Sequence, residues 1–273
     1  MKSVVLPGGR QVPALGLGTW KMGEDGRRRA AEIAALQRGI DLGMTLIDTA
    51  EMYGEGGAEE VVGEAIQQRR DGLFIVSKVS PHNATRRGTI AACERSLKRL
   101  GIETIDLYLI HWRGSVPLAE TLDAFVELKR TGKIGSFGVS NFDTSDMQEA
   151  WDLPGGQEIA ANQILYNLTR RSVEHDLLPW CRNHHIPVMA YSPMEQGQLV
   201  GDQRLLNQDA TPAQIALAWL LTMEGIIAIP KSSGIRHVEE NRVAADLVLT
   251  TAELLLLDRA FPRSQARKPL EML

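Results

Sequence analysis

The sequence predicts an α/β protein: a (β/α)8 TIM barrel with an N-terminal β-hairpin and an extra C-terminal helix. Three observations carry this reading. Short apolar runs begin at Leu15, Thr45, Leu73, Ile105, Ile134, Ala160, Pro187 and Ile226, at intervals close to the ~30 residues of one strand–helix unit, the last interval being the longest. The segments between the runs place apolar residues at helical spacing. No low-complexity tract, charge block or long linker breaks the alternation, which favours a closed barrel over an open sheet and one domain over residues 1–273.

Each element has a local reason. Ser3–Pro13 holds Pro7-Gly8-Gly9-Arg10 between two short apolar arms and reads as a hairpin. The runs LGLGTW, TLIDTA, LFIVSKV, IDLYLIHW, IGSFGVSNF, AANQILYN, PVMAYSPM and IIAIPKSS follow in order, and near-continuous apolar runs suit parallel strands covered on both faces. In Thr85–Gly101, Ile90, Cys93, Leu97 and Leu100 recur at three- and four-residue steps and Gly101 supplies the stop. Thr211-Pro212 opens another helix with a cap residue and a proline at its first position. Thr250–Phe261 is the extra helix, lying beyond the eight units.

Composition narrows the function classes. The 273 residues are 44% hydrophobic and 23% charged, an ordinary globular balance that argues against disorder or a coiled coil. Thirty basic against 34 acidic residues give a net charge of −4, which argues against a nucleic-acid surface. The N-terminus does not read as a signal peptide, and the longest charge-free stretch, Ala210–Met223, is shorter than the ~17 residues needed to span a bilayer. Cys93 and Cys181 stand far apart with no metal spacing, so no bound metal is expected and a cytoplasmic location is. Gly16-Leu17-Gly18 runs on into Thr19-Trp20-Lys21, which is not the Rossmann fingerprint. His184 and His185 read as a solvated helix end.

In a barrel of this kind function lies at the C-terminal ends of the strands. Asp48 ends the second run with Tyr53 in its loop, Lys78 stands at the end of the third, and His111 follows the fourth. Singly these are a cap, a loop aromatic, a surface lysine and a half-buried histidine. Together they suit proton transfer through a phenol, because an ammonium near a tyrosine favours phenolate and lowers its pKa. Asp48 would hold Lys78 charged, and His111 would orient a substrate oxygen.

At this point a family is recognisable. The hairpin followed by GLGTW, then LIDTAEMYG, IVSKV, LYLIHW, GKIGSFGVSNF, NQILYN, AYSPM and IPKSS with EEN, in order, resembles the aldo-keto reductases over essentially the whole chain. GTWKMGE, the LPGG at Leu153–Gly156 and DLLPWC at Asp176–Cys181 are closest to bacterial members resembling methylglyoxal reductase. The resemblance implies a catalytic tetrad of Asp48, Tyr53, Lys78 and His111, and NADPH as the hydride source for a small aldehyde or ketone. It also implies that Ser140, Asn141 and Gln163 hold the nicotinamide carboxamide and that Tyr191 stacks on its ring. Ser192 would face the pyrophosphate; Lys231, Ser232 and Arg236 the 2′-phosphate; and Glu240 and Asn241 the adenine. Trp20, Met52 and Trp112 would line the substrate pocket.

Three departures modify these expectations. His237 stands where many members carry an arginine, so NADH is expected as a weaker alternative to NADPH. Glu195–Ala210 is short, which suggests easier cofactor exchange, and the short stretch after Phe261 suggests an open pocket for small substrates. A monomer is expected. The competing reading, a cofactor-sensing or interaction protein on the same barrel with little turnover, is disfavoured by the complete tetrad.

Overall fold

The structure is a computed structural model that describes residues 1–205, 209–264 and 266–273. Strands β1 (Ser3–Val5) and β2 (Gln11–Pro13) pair antiparallel as the expected hairpin. Strands and helices then alternate: β3 (Leu17–Gly18), α1 (Arg29–Asp41), β4 (Leu46–Asp48), α2 (Gly57–Ile66), β5 (Phe74–Val79), α3 (Arg86–Leu100), β6 (Ile105–Ile110) and α4 (Leu118–Arg130). They continue as β7 (Ile134–Ser140), α5 (Thr144–Asp152), β8 (Ile159–Leu165), α6 (Leu177–Asn183), β9 (Val188–Tyr191), α7 (Pro212–Thr222), β10 (Ile226–Ala228) and α8 (Ile235–Ala244), and α9 (Thr251–Ala260) follows.

Strands β3 to β10 form one all-parallel sheet in chain order. Strands β4, β5, β6 and β8 are buried at every position, with the inside of the curled sheet on one face and helices on the other, which is why their sequences read as unbroken apolar runs. The sheet curls until its two edges meet. Leu15 bridges Ala228 and Gly18 bridges Lys231, and Gly16 N–H donates to Ala228 O at 2.9 Å. Gly18 is what lets this seam close, since a Cβ there would lie 2.7 Å from the carbonyl oxygen of Ile229.

The helix ends form where the sequence placed them. Thr85 accepts from Gly88 N–H and Gly101 takes the left-handed cap conformation. Thr211 with Gln214, and Thr250 with Glu253, close reciprocal capping boxes. The buried stripe of α3 differs from the expected one: Thr89, Cys93, Ser96 and Leu100 face the core, while Ile90 and Leu97 are half-buried at its edge. Small side chains let α3 sit close on the sheet, so its bulkier apolar residues lie at the flank. His184 also differs from expectation. It stacks on Trp180 at 3.8 Å and 14°, its Nδ1 bonded to the Trp180 carbonyl, while His185 is exposed. Cys93 and Cys181 are buried free thiols whose pKa burial pushes up to about 12. Among the described residues no helix is long and apolar enough to cross a membrane, and no cluster of His, Cys, Asp or Glu could hold a metal ion.

The segment after α9 does not leave the mouth bare. Arg263 pairs with Glu174 at 3.0 Å, Arg267 with Asp176 at 2.9 Å, and Glu271 with Arg170 at 2.6 Å. These ties lay the segment along the loop after β8 and bring the Leu273 main chain to the Tyr191 hydroxyl. The short segment, pinned by these ion pairs, thus reaches the mouth at Tyr191. The short stretch before α7 forms two 3-10 turns, Glu195–Gly201 and Gln203–Leu205, and its residues 206–208 lie outside the described residues.

Because the seam tolerates no side chain at residue 18, Gly18→Ala is expected to cost about 1–3 kcal/mol. Urea denaturation checks this, and an unchanged midpoint would contradict the role given to the seam.

Candidate active site

The site is built around one buried ammonium. Along β5 the side chains alternate in direction, so Ser77 turns outward to Glu59 of α2 (2.5 Å) and Lys78 turns inward. Lys78 Nζ donates to Asp48 Oδ2 at 2.8 Å, to the Thr49 carbonyl at 2.8 Å and to Tyr53 Oη at 3.3 Å. These three acceptors match the three protons of an ammonium. The Lys78 side chain is fully buried and that of Asp48 nearly so. The second Asp48 oxygen accepts from Gln163 Nε2 at 2.7 Å, so both carboxylate oxygens have donors. Burial pulls the Lys78 pKa down, but Asp48 and Tyr53 outweigh it and the net direction is upward.

Tyr53 departs from the sequence reading. Burial raises its pKa, the Lys78 charge lowers it and Asp48 raises it, and the balance lies above the ordinary phenol value. Burying a phenolate costs more than one ammonium, half neutralised by its own carboxylate, returns. Tyr53 is therefore held as the neutral acid, with the cation waiting beside it. His111 follows β6, its N–H donating to Val79 O, and packs edge-on against Tyr53 at 5.5 Å and against Trp112 at 4.9 Å. Burial and then the Lys78 charge push its pKa down to about 2, so the ring is neutral. Its Nδ1 is buried and has no hydrogen-bond partner among the described residues, the kind of orphaned group that a bound molecule satisfies.

Tyr53 is placed by a close approach of two loops. It opens the 3-10 turn Tyr53–Gly56 after β4, and the residues that follow press on the loop after β3. A Cβ on Gly23 would lie 2.2 Å from the Gly57 carbonyl carbon. Trp20 and Met52 stand exposed on these two loops, with Lys21 Nζ 4.4 Å from the Trp20 ring centroid.

Farther round the mouth, Asn141 follows the last residue of β7 in a left-handed conformation (φ 59°). Its Nδ2 donates to the His111 carbonyl and to Ser140 Oγ, and its Oδ1 accepts from Tyr191 Oη at 2.9 Å. Ser140 and Gln163 share a register on β7 and β8, so the proposed amide contacts stand side by side. Gln163 lies within β8 rather than at its end, which is why it reaches Asp48. Burial raises the Tyr191 pKa to about 12, against a lowering by the Leu273 main chain. Ser192 also has a positive φ (47°), and its carbonyl accepts from Asn167 Nδ2 at 2.9 Å.

A third group lies where β3 meets the segment after β10. Ser232 Oγ accepts from Asn241 Nδ2 at 2.9 Å. Arg236 is paired with Glu240 at 3.5 Å and largely exposed. Lys231 Nζ donates to Ser233 Oγ at 3.3 Å and forms no ion pair among the described residues. The chain thus joins Asp48, Tyr53, Lys78 and His111 directly. It gathers Ser140, Asn141, Gln163 and Tyr191 next to them, and sets Lys231, Ser232 and Asn241 apart at the seam.

Several residues at the mouth escaped the sequence reading. The Thr49 carbonyl carries no side-chain signal. Arg28 donates to Ser233 Oγ at 2.8 Å, yet it stands in a run of three arginines that look alike in sequence. Arg170 joins Glu195, at 2.8 Å, to Glu271, a tie between segments far apart in the chain.

Comparison with known proteins gives a consistent picture. A family model described as the aldo/keto reductase family matches residues 14–208. The methylglyoxal reductase YeaE of Escherichia coli (strain K12) is 48% identical over 280 residues, which is 99% of each chain. The glyoxal reductase of Bacillus subtilis (strain 168) is 35% identical over 266 residues, 94% of this chain and 91% of that one. A crystal structure of an aldo/keto reductase from Klebsiella pneumoniae, in complex with NADP and acetate, matches with a TM-score of 0.96 at 48% identity, covering 100% of this chain and 99% of that one.

The depressed His111 pKa makes a stability prediction. Unfolded, this histidine protonates near pH 6.5; folded, it stays neutral to about pH 2, so between these values the unfolded state holds more protons. Stability therefore falls as pH drops below 6.5, and His111→Gln should remove part of that fall. Urea midpoints at pH 7.5 and 5 test it, and equal pH sensitivity in both proteins would contradict the buried neutral ring.

Proposed function

The chain belongs to the aldo/keto reductase family, and from that premise we propose that it reduces small aldehydes and ketones of the 2-oxoaldehyde type, methylglyoxal among them, with Tyr53 as the general acid. The observation that carries this is the Lys78 ammonium, buried between Asp48 and the hydroxyl of a neutral Tyr53. The chain is an NADP-dependent reductase. We read its edge-joined sheet as a closed (β/α)8 barrel, its residues 1–273 as one domain, and the protein as a cytoplasmic monomer.

The residues fit the cofactor by their chemistry. Ser140, Asn141 and Gln163 offer the donors and acceptors that a primary amide needs, and Tyr191 offers a ring face. Ser192 would meet the pyrophosphate, Lys231 and Ser232 a phosphate, and Glu240 and Asn241 the adenine, with Arg236 at the outer rim. NADH is the weaker alternative. When bound, the cofactor supplies the hydride to the carbonyl carbon.

The protein's own part is the proton. Tyr53 donates from Oη to the carbonyl oxygen, and the phenolate that develops is stabilised by Lys78 Nζ, already 3.3 Å away and tethered by Asp48. The tether holds the ammonium in place, so little reorganisation accompanies the charge that develops. Neutral His111 carries one ring N–H, enough to hold the carbonyl oxygen in line without competing as an acid. Trp20, Met52 and Trp112 line the approach with apolar surface, which suits a small carbonyl compound.

Tyr53→Phe removes the acid and little else. Turnover of methylglyoxal, followed by NADPH absorbance, is expected to fall by about 10²-fold or more while NADPH binding stays near wild type. Substantial residual turnover would overturn the assignment of Tyr53.

A further inference from the structure

The loop after β3 ends in Arg27 and Arg28, Arg29 opens α1, and the fold sends each to a different place. Arg27 turns back to its own cap residue, Asp25, at 2.9 Å. Arg29 crosses to Glu64 at 2.6 Å. Arg28 crosses the seam to the segment after β10, where its Nη2 donates to Ser233 Oγ at 2.8 Å. Lys231 Nζ donates to that same hydroxyl at 3.3 Å. Two cations therefore share one neutral acceptor. The nearest paired carboxylate, Glu32, is 4.0 Å from Arg28 and already accepts from Gly23 N–H. Like charges drawn together over a single hydroxyl repel each other, and an anion placed between them relieves that repulsion. Arg236, the cation expected there from the sequence, is paired with Glu240 and makes no bond to this cluster.

We propose that Arg28, with Lys231, reads the 2′-phosphate of the cofactor and is the residue that sets the preference for NADPH over NADH. Arg28 presents a planar fork, suited to two phosphate oxygens, beside the point charge of Lys231. The loop that carries it also carries Trp20 and Lys21, so phosphate contact at Arg28 is made by the same loop that lines the substrate approach. This inference rests on the NADPH reading above and assigns its selectivity to a loop outside the strand-end motifs.

Isothermal titration with adenosine 2′,5′-bisphosphate and with adenosine 5′-monophosphate tests it without turnover. Wild type is expected to bind the bisphosphate more tightly. Arg28→Gln should weaken that binding about tenfold or more and leave the monophosphate unchanged, whereas Arg236→Gln should keep the wild-type difference. The ratio of kcat/KM for NADPH over NADH should fall in parallel in Arg28→Gln and recover in part in Arg28→Lys. Retention of the full difference by Arg28→Gln, or an equal loss in Arg236→Gln, would overturn the role of Arg28 alone. Failure of wild type to distinguish the two nucleotides would overturn the NADPH reading as well.

Discussion

The buried pair of Lys78 and Asp48 is the constraint on which the rest of the site depends. Moving a lysine and an aspartate out of water costs several kcal/mol per ion, and only close geometry with every polar atom satisfied offsets it. The structure meets that condition through three further partners: Thr49 O and Tyr53 Oη from the loop after β4, and Gln163 from β8. Each comes from a strand or loop whose position is set by the curled sheet, so the pair exists only when the sheet is formed. The same low-polarity surroundings that make the pair costly also make it effective, because a charge acts more strongly where water is excluded.

From that pair the chemistry of the neighbours follows. Tyr53 is neutral because burial outweighs one partly compensated cation, and His111 is neutral because burial and the same cation both oppose a second positive charge. Burial thus sets both protonation states, opposed by the ammonium at Tyr53 and reinforced by it at His111, leaving a neutral phenol and a neutral imidazole beside one cation. The loop glycines serve this arrangement. Gly23 against Gly57 brings the Tyr53 turn within reach of Lys78, and Gly18 lets the first strand bond to the segment that carries Lys231.

Much of this was legible in the sequence, for reasons that can be traced to particular residues. Strands buried on both faces must be apolar throughout, so Asp48, Lys78 and His111 stand out against the runs that precede them. Caps such as Thr211 and Thr250 are local and show directly. What stayed hidden depends on contacts between distant segments. The net direction of the Tyr53 pKa is set by burial, which no motif encodes. Arg28 differs from Arg27 and Arg29 only in where the fold sends it. The return of the segment after α9 rests on three arginine–carboxylate pairs whose partners lie far away in the chain. On α3 the helical period holds but the buried face is shifted, because small residues rather than bulky ones meet the sheet.

The central claim is that Asp48 acts through Lys78 on the proton of Tyr53, and a double-mutant cycle measures that coupling directly. The rate of methylglyoxal reduction would be compared in wild type, Asp48→Asn, Tyr53→Phe and the double variant, with far-UV circular dichroism confirming that all four are folded. If the three side chains work as a unit, adding Asp48→Asn to Tyr53→Phe costs little beyond the loss from Tyr53→Phe alone. Two losses that multiply in full in the double variant would show that Asp48 acts independently of Tyr53, and would contradict the account.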